Sequence, residues 1–327
     1  MNIGLLGFGV VGRGVYEITT AREDMQVTKV LCLEDISLPD AESVKDIKLI
    51  VEDPSIDTVV EAMGGLHPAY EFVRAAMEAG KNIVTSNKAL VAVYYDDLMN
   101  LAKEKGLSFR CTAAVGGGIP IIRPLYKCLA ANKITKIAGI VNGTTNYILS
   151  QMKDEGIDFD TALKQAQANG FAEANPSADI DGIDAQRKIS ILSTIANDGA
   201  YIAPDQISAE GISAITNDDF EFASSIGCDI KLIALYEAGE DKPVVYVAPT
   251  LVAKSNLLFN VSGVFNAIMV DGNSLGQAMF YGQGAGTLPT ASAVCGDILE
   301  AAMSNPTENR SWTEESVAIT PYDEIAA

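Results

Sequence analysis

The chain has 327 residues, of which 48% are hydrophobic, so it can bury one large core or two ordinary ones. Its formal net charge of −20 disfavours nucleic acid as a partner, although a local site can still bind a small charged metabolite. No apolar stretch approaches the roughly 18 residues of a membrane-spanning helix, and the amino terminus enters a strand-like run without a signal peptide. The five cysteines form no CxxC pair, which argues against a zinc or disulfide framework. We therefore expect a cytoplasmic protein that binds neither nucleic acid nor membranes.

The single histidine restricts the available chemistry. His67 precedes Pro68 in a predicted loop, where a structural or solvated role is expected. A Ser-His-Asp or Cys-His mechanism, or a multi-histidine metal site, would depend on this one residue. Any proton transfer must therefore use lysine, aspartate, glutamate or tyrosine.

The chain begins with a dinucleotide-binding pattern. A predicted strand, Asn2–Leu6, and a predicted helix, Arg13–Ala21, flank the sequence Gly-Phe-Gly-Val-Val-Gly. In this context the first glycine makes the turn, the second lets the backbone approach the pyrophosphate, and the third lets helix meet strand. A structural loop is the alternative. We expect cofactor contacts from the six residues of the turn, which are Gly7, Phe8, Gly9, Val10, Val11 and Gly12.

The end of the next predicted strand, Val27–Leu33, bears on cofactor choice. Glu34 follows it about twenty residues after the glycines, where an acid would bind the ribose hydroxyls. With Asp35 adjacent and no neighbouring arginine, the pattern favours NAD over NADP. The alternative is that these acids only begin a loop.

Two further predicted strands, Thr58–Glu61 and Asn82–Thr85, end in polar or glycine-rich turns. In an open parallel sheet, ligands bind outside the carboxyl ends of the strands. A lysine in that crevice would contact substrate or cofactor, although a solvated lysine is the alternative. We expect cofactor contacts from four residues that follow these strands: Met63, Gly64, Ser86 and Lys88.

The second half of the chain predicts an α+β domain. After a strand at 135–141, the turn Asn142–Asn146 is rich in N–H and hydroxyl groups and could hold a carboxylate. Helices followed by several strand-like runs then predict a sheet with one face covered. A final helix, Thr290–Met303, is expected to return to the first domain. The remaining 24 residues are interpreted as a loosely ordered tail.

The segment Gly170–Lys188 concentrates charge, with four carboxylates and one lysine. Pro176 excludes a regular helix from its first part, and Asp181 is expected to cap a helix in its second part. Asp184 and Lys188, four residues apart, would share one side of that helix. Considered alone, the segment favours a solvated acidic loop with a surface ion pair.

Together these motifs closely resemble homoserine dehydrogenase, in order over about residues 1–303. The resemblance implies interconversion of L-aspartate 4-semialdehyde and L-homoserine with NAD(P), on the route to threonine and methionine, by a homodimer. The implied fold is α/β: a Rossmann-type nucleotide-binding domain, 1–125 completed by 285–327, plus an α+β catalytic and dimerisation domain, 126–284, with an open-faced sheet. The motifs that carry the resemblance are Gly-Phe-Gly-Val-Val-Gly, Val84-Thr-Ser-Asn-Lys88, Gly-Gly-Gly-Ile-Pro, Asn-Gly-Thr-Thr-Asn, the acidic segment and Gly-Ala-Gly286.

The resemblance also implies residue roles. Lys188 matches the catalytic acid/base, and Lys88 the lysine beside nicotinamide and substrate. A lysine there can stabilise and protonate the aldehyde oxygen as hydride arrives, while carboxylates bind the substrate ammonium. The implied substrate contacts are Glu173, Asp179, Asp184, Gly143 and Thr144, and the further implied cofactor contacts are Gly170 and Gly286.

The sequence departs from the family pattern in three places. Thr112 replaces a glutamate that binds a monovalent cation such as Na⁺, so the expected site loses its only formal charge. The remaining implied ligands are the carbonyls of Val115, Gly117 and Ile119. Phe171 replaces a tyrosine, which removes a hydroxyl near substrate. Too few residues follow Met303 for a regulatory ACT domain, so threonine feedback through such a domain is not expected.

Two other functions remain open from the sequence. Another two-domain NAD(P)-dependent oxidoreductase could act on a different small amino-acid aldehyde. A dinucleotide-sensing binding protein could share the fold without turnover. The intact pair of lysines, Lys88 and Lys188, and the acids argue against a sensor, because a sensor has no need of a proton-transfer group.

Overall fold

The structure is a computed structural model that describes residues 1–303, 312–313 and 315–325. Its contacts divide the chain into two compact units, Met1–Arg123 with Ala285–Glu314 and Pro124–Gly284 with Glu315–Ala327. The sequence-based division differs slightly, because it placed the boundary after residue 125 and gave all of 285–327 to the first unit.

The secondary-structure elements alternate between strand and helix in the first part of the chain. They are β1 (Asn2–Leu6), α1 (Val10–Thr20), β2 (Gln26–Leu31), β3 (Glu42–Val44), α2 (Lys48–Val51), β4 (Thr58–Glu61), α3 (Ala69–Glu78), β5 (Asn82–Thr85), α4 (Lys88–Lys105), β6 (Phe109–Arg110), a 3₁₀ turn (Thr112–Ala114) and α5 (Ile122–Tyr126). The rest are β7 (Ile134–Ile140), α6 (Gly143–Glu155), α7 (Phe159–Ala168), α8 (Ser177–Ile180), α9 (Ile183–Ala196), β8 (Ser208–Ala209), α10 (Asn217–Ser225), β9 (Cys228–Glu237), β10 (Val244–Ala253), β11 (Phe265–Gly272), β12 (Gly276–Gln283), α11 (Thr287–Met303) and α12 (Tyr322–Ile325), with 3₁₀ turns at Pro204–Gln206 and Leu257–Asn260.

The first unit contains a parallel six-stranded sheet in the order β3-β2-β1-β4-β5-β6. This is the strand order of dinucleotide-binding folds, and the chain reverses direction across the sheet between β1 and β4. Helix α11 packs against α1, where a Cβ on Gly14 would lie 2.6 Å from the carbonyl oxygen of Thr287. Only a glycine permits this approach. The order of the strands confirms the Rossmann-type prediction.

The second unit contains a mixed sheet in the order β12-β11-β7-β9-β10-β8. All neighbours in it are antiparallel except β8 and β10. Helices α6, α9 and α10 pack against its strands, as an α+β domain requires. The strands also contribute an apolar cluster that includes Ile140, Ile233, Leu235, Val252 and Ala267. The predicted α+β class is confirmed.

Three local predictions differ from the structure. The predicted strand 108–114 is only two residues long, because the main-chain N–H of Thr112 donates to Asp297 on α11 (2.8 Å) and a 3₁₀ turn follows. The predicted helix 121–131 spans only α5. Helix α4 was not predicted, and the expected turn at 142–146 is the start of α6, a helix of 13 residues.

The described part of the tail is held in place by specific contacts, contrary to the expectation of a loosely ordered segment. The ring of Trp312 stacks on Tyr95, with centroids 3.9 Å apart. The main-chain N–H groups of Val317 and Thr320 donate to the carbonyls of Tyr201 and Pro243. The residues 304–311, on which part of that expectation rested, lie outside the described ranges.

In the described ranges, no helix is both long enough and apolar enough to cross a membrane.

Candidate active site

The glycine turn connects β1 to α1 with very little space. Gly7 has φ +93°, a left-handed conformation that glycine adopts without strain, and a Cβ on Gly12 would lie 2.2 Å from the carbonyl oxygen of Gly7. Gly9 caps α1 without a side-chain hydrogen bond, and a Cβ there would have no neighbour within 4 Å. Main-chain N–H groups at an open helix amino terminus suit an anionic group such as pyrophosphate.

The ends of β4 and β5 place the next predicted residues side by side. Met63 and Gly64 follow β4, and Ser86 follows β5. Because the two strands are parallel neighbours in the sheet, these residues lie at the same edge. Asn87 caps α4 by accepting from the N–H of Leu90 at 3.1 Å. Lys88 is therefore the first residue of α4, directly beyond the carboxyl end of the sheet.

A lysine that the sequence-based argument missed contacts the residues that follow β2. The ammonium of Lys45 donates to the carbonyl oxygens of Leu33 (2.7 Å) and Glu34 (2.6 Å) and pairs with the carboxylate of Asp35 at 3.0 Å. Lys45 directly follows β3, the neighbour of β2, and β3 was not predicted from the sequence. The side chains of Glu34 and Asp35 are both exposed.

In the second unit, Lys188 and Asp184 form the predicted pair across one turn of α9. The ammonium of Lys188 is 2.6 Å from the carboxylate of Asp184 and donates to the carbonyl oxygen of Val141 at 2.6 Å. Lys188 is 8% exposed and Asp184 is 4% exposed, so the pair is buried. The surface ion pair that the segment alone favoured is thus excluded.

Asn142 joins this pair to a second acid. Its side-chain amide nitrogen donates to Asp179 (2.7 Å) and to Asp184 (2.9 Å), while its carbonyl oxygen accepts from the N–H of Thr145 and caps α6. The turn was expected to hold a carboxylate of a ligand, but this amide binds two carboxylates of the protein itself. The sequence offered no signal for this role.

The remaining predicted residues of the second unit lie around this group. A Cβ on Gly143, the first residue of α6, would lie 2.8 Å from the carbonyl oxygen of Val264, and the hydroxyl of Thr144 donates to the carbonyl oxygen of Phe171 (2.6 Å). Glu173 is exposed, and within the described ranges its carboxylate makes no hydrogen bond or ion pair. The structure therefore links Asp179 to Asp184 and Lys188, but not Glu173.

Two glycines predicted to contact cofactor have positive φ. Gly170 (φ +75°) follows α7, and Gly286 (φ +122°) lies directly before α11 in the first unit. Both positions lie at turns next to a helix end, where a side chain would be strained.

The predicted helix cap at Asp181 is wrong. Gly182, with φ +80°, occupies the cap position of α9, and Asp181 instead ends the short helix α8. The first part of the segment contains no helix as far as Pro176, as expected, and the short helix α8 begins directly after it. Pro176 lies at the amino-terminal cap of α8, where its missing N–H breaks no helical hydrogen bond.

The segment predicted to bind a monovalent cation offers only neutral oxygen atoms. The carbonyl oxygen of Ile119 already accepts from the N–H of Ile121 (2.9 Å), and the N–H of Thr112 is bonded to Asp297. No cluster of three histidine, cysteine or acidic side chains suited to a metal occurs in the described ranges. The carbonyls of Val115, Gly117 and Ile119 carry no formal charge, and no step of the reaction is assigned to a cation.

Comparison with known proteins agrees with this geometry. A family profile described as "Homoserine dehydrogenase" matches residues 120–299, and one described as "Homoserine dehydrogenase, NAD binding domain" matches residues 7–111. The homoserine dehydrogenase of Synechocystis sp. is 44% identical over 315 residues, covering 91% of this chain and 72% of that protein. That of Bacillus subtilis is 38% identical over 319 residues, covering 93% and 73%.

Solved structures are similar over nearly the whole chain. A homoserine dehydrogenase from Thiobacillus denitrificans superposes with a TM-score of 0.90 at 37% identity, covering 98% of this chain and 79% of that one. A hyperthermophilic archaeal homoserine dehydrogenase in complex with NADPH gives 0.79 at 30% identity, covering 94% and 99%. With a family profile matching more than half of its length, this chain belongs to the homoserine dehydrogenase family, oxidoreductases that act on a CH–OH group with NAD(P).

Proposed function

We propose that Lys188 transfers the proton in the family reaction, the NAD(P)-dependent interconversion of L-aspartate 4-semialdehyde and L-homoserine. One observation carries the proposal: the buried ammonium of Lys188 is held between the carboxylate of Asp184 and the carbonyl oxygen of Val141. When hydride reaches the aldehyde carbon, negative charge develops on its oxygen. An ammonium can stabilise that charge and then supply the proton, and the reverse reaction returns the proton to lysine.

The acids beside Lys188 are proposed to bind the substrate ammonium. Asp179 and Asp184 are already joined by the amide of Asn142, so two carboxylates face one small region of the second unit. Glu173, exposed on the preceding loop, is proposed as a third acid. The N–H groups of Gly143 and Thr144, in the first turn of α6, suit the substrate carboxylate.

The cofactor is proposed to bind along the carboxyl edge of the parallel sheet. The turn of Gly7–Gly12 would hold the pyrophosphate, and Glu34 the adenosine ribose. Toward the nicotinamide lie Met63, Gly64, Ser86 and Lys88, with Gly170 and Gly286 as further contacts.

NAD is the proposed preference over NADP. A phosphate on the ribose would meet the carboxylates of Glu34 and Asp35 at the end of β2. The nearby cation, Lys45, is engaged by Asp35 and two carbonyl oxygens, so its charge is partly offset.

A homodimer is also part of the proposal. Strand β12 lies at the edge of the second sheet and exposes apolar side chains, with Met279 at 36% and Tyr281 at 53%. An edge strand with exposed apolar side chains can pair with another chain, and a second copy would cover them. Light scattering should give the mass of two chains, and a Met279→Lys, Tyr281→Lys variant should give one. A single-chain mass for the unmodified protein would contradict the dimer.

The activity is tested by following absorbance at 340 nm with L-homoserine and either NAD or NADP. Reduction of the dinucleotide that depends on L-homoserine is expected. Dinucleotide binding without turnover would favour the dinucleotide-sensing protein instead. Turnover only with another hydroxy amino acid would favour the second oxidoreductase.

A further inference from the structure

A buried carboxylate lies beside the glycine turn. Glu61, the last residue of β4, is 0% exposed, and its main chain is paired with that of Leu6, the residue before the turn. The boundary between β1 and β4 is the switch point of this sheet, where dinucleotides bind in folds of this order.

All hydrogen-bond partners of this carboxylate are neutral. One oxygen accepts from the main-chain N–H groups of Met63 (2.9 Å) and Gly64 (3.2 Å) and from the side-chain amide of Asn87 (3.3 Å). The other accepts from the hydroxyl of Thr85 at 2.5 Å. Among the residues that the structure describes, no lysine or arginine pairs with Glu61. Every hydrogen bond to this carboxylate therefore comes from a neutral donor.

The same carboxylate connects the two loops expected to contact the nicotinamide side of the cofactor. Asn87 donates from its side-chain amide to the carbonyl of Gly65 (2.6 Å) and from its main-chain N–H to the hydroxyl of Thr85 (3.0 Å). Loop 62–65 and loop 86–87 are thus fixed to one another through Glu61 and Asn87. A glutamine could make most of these bonds, so the loops alone do not require a charge.

We propose that Glu61 is a positioning residue whose fixed negative charge favours the oxidised cofactor. It holds the loops of Met63 and Ser86 in place, and its charge faces the edge of the sheet where the cofactor binds. The nicotinamide ring is positively charged when oxidised and neutral when reduced. A buried negative charge therefore attracts the oxidised ring and leaves the reduced ring unaffected, because the protein interior screens the charge less than water does. The inference rests on the proposed function only in placing the cofactor at this edge.

The test compares the affinity for NAD⁺ with that for NADH in Glu61→Gln, which keeps the size of the side chain and removes its charge. Glu17→Gln, on the exposed side of α1, removes the same charge away from the sheet edge and is the matched control. Dissociation constants from fluorescence titration should show NAD⁺ weakened about fivefold or more relative to NADH in Glu61→Gln. The ratio should not change in Glu17→Gln.

An equal loss of affinity for NAD⁺ and NADH in Glu61→Gln would reduce Glu61 to a structural role and overturn the proposal, as would an unchanged ratio. Glu61→Asp and Thr85→Val disturb the network but keep the charge, so both should keep the wild-type ratio even if both affinities fall. A shifted ratio in either variant would also overturn the proposal. These two variants therefore keep the proposal testable if Glu61→Gln does not fold. If the unmodified protein bound only NADP⁺ and NADPH, the same ratio would be measured with that pair, whereas failure to bind any of the four dinucleotides would contradict the cofactor site itself.

Discussion

The ammonium of Lys188 donates a hydrogen bond to the main-chain carbonyl oxygen of Val141, with the two atoms 2.6 Å apart. Val141 follows the last residue of β7 and precedes Asn142, whose side chain binds Asp179 and Asp184. Two consecutive residues after one strand therefore orient both the proposed proton donor and its acids. The position of the lysine is set by backbone as well as by its ion pair, so it does not depend on the acids alone.

Removing the ammonium should abolish most of the catalysis and leave cofactor binding intact. In Lys188→Ala, kcat for L-homoserine oxidation should fall about 10³-fold, since proton transfer by a positioned group contributes on that order. The dissociation constant for NADH, measured by fluorescence, should change less than about twofold. Lys164→Ala, on the exposed side of α7, is the matched control and should retain wild-type kcat. If kcat of Lys188→Ala fell only a few-fold, Lys88 would become the candidate for proton transfer.

Asn142 has two roles that substitution can separate. Asn142→Ala should lose both the cap of α6 and the bonds to the acids, costing about 1–2 kcal/mol in free energy of unfolding and raising KM for L-homoserine about tenfold. Asn142→Ser keeps a capping oxygen but has no amide to donate to two carboxylates. It should regain most of the stability, measured by urea unfolding, and keep the raised KM. If KM recovered together with stability, the bonds to the acids would have no part in substrate binding.

Strands β1, β4 and β5 were predicted with their observed bounds because local signals mark both ends of each. Each is a short apolar run that ends at glycine or at polar turn residues. Asn142 and Glu61 were not recognised as site residues. Several of their partners are distant in sequence: Asp179 and Asp184 lie 37 and 42 positions from Asn142, and Thr85 and Asn87 lie 24 and 26 positions from Glu61. No local period reports contacts that depend on the tertiary fold.

The cap at Asp181 failed for a different physical reason. An aspartate before an apolar periodic stretch is a reasonable helix start. Here the chain makes an extra turn of helix, α8, and then needs a left-handed residue, which only Gly182 provides easily. The choice between adjacent capping residues was thus decided by backbone conformation, which side-chain preferences alone do not specify.

Cofactor preference should respond to the acid at the end of β2. Removing the carboxylate of Glu34 relieves its repulsion of a ribose phosphate and also removes a partner for the ribose hydroxyls of NAD. In Glu34→Ala, the ratio of kcat/KM for NAD to that for NADP should fall about tenfold or more. Glu42→Ala, exposed on β3, removes a nearby acid of the same type and should leave the ratio unchanged. An unmodified protein that prefers NADP would contradict the role given to Glu34.

Activity should not depend on a monovalent cation. The carbonyls of Val115, Gly117 and Ile119 are neutral, and the N–H of Thr112 is bonded to Asp297. Replacing Na⁺ and K⁺ by choline at constant ionic strength should change kcat/KM less than about twofold, because the expected ligands in this segment supply no formal charge to hold a cation. The melting temperature should also be unchanged. Loss of activity in choline that either Na⁺ or K⁺ restores would show that the carbonyls alone suffice for binding.

Asp297 should make the stability of the first unit depend on pH. Burial on α11 raises the pKa of this carboxyl to about 6 from its usual 3.8, despite the hydrogen bonds from Thr112 that favour ionisation. The folded state then holds the proton more tightly than the unfolded state, so stability falls as pH rises from about 4 to about 6. Above that range the full cost, about 3 kcal/mol as an upper figure, is present.

Asp297→Asn removes the ionisation and should therefore be more stable than the unmodified protein at pH 8, by roughly 1–3 kcal/mol. The gain should shrink as pH is lowered through 6 toward 4, because the folded-state aspartate becomes protonated over that range. Urea unfolding at pH 5, 6, 7 and 8 measures this, with Asp40→Asn, exposed in the same unit, as the control. A gain that is constant with pH would mean that the pKa of Asp297 does not differ between the folded and unfolded states, and a loss at every pH would mean that its charge stabilises the segment around Thr112.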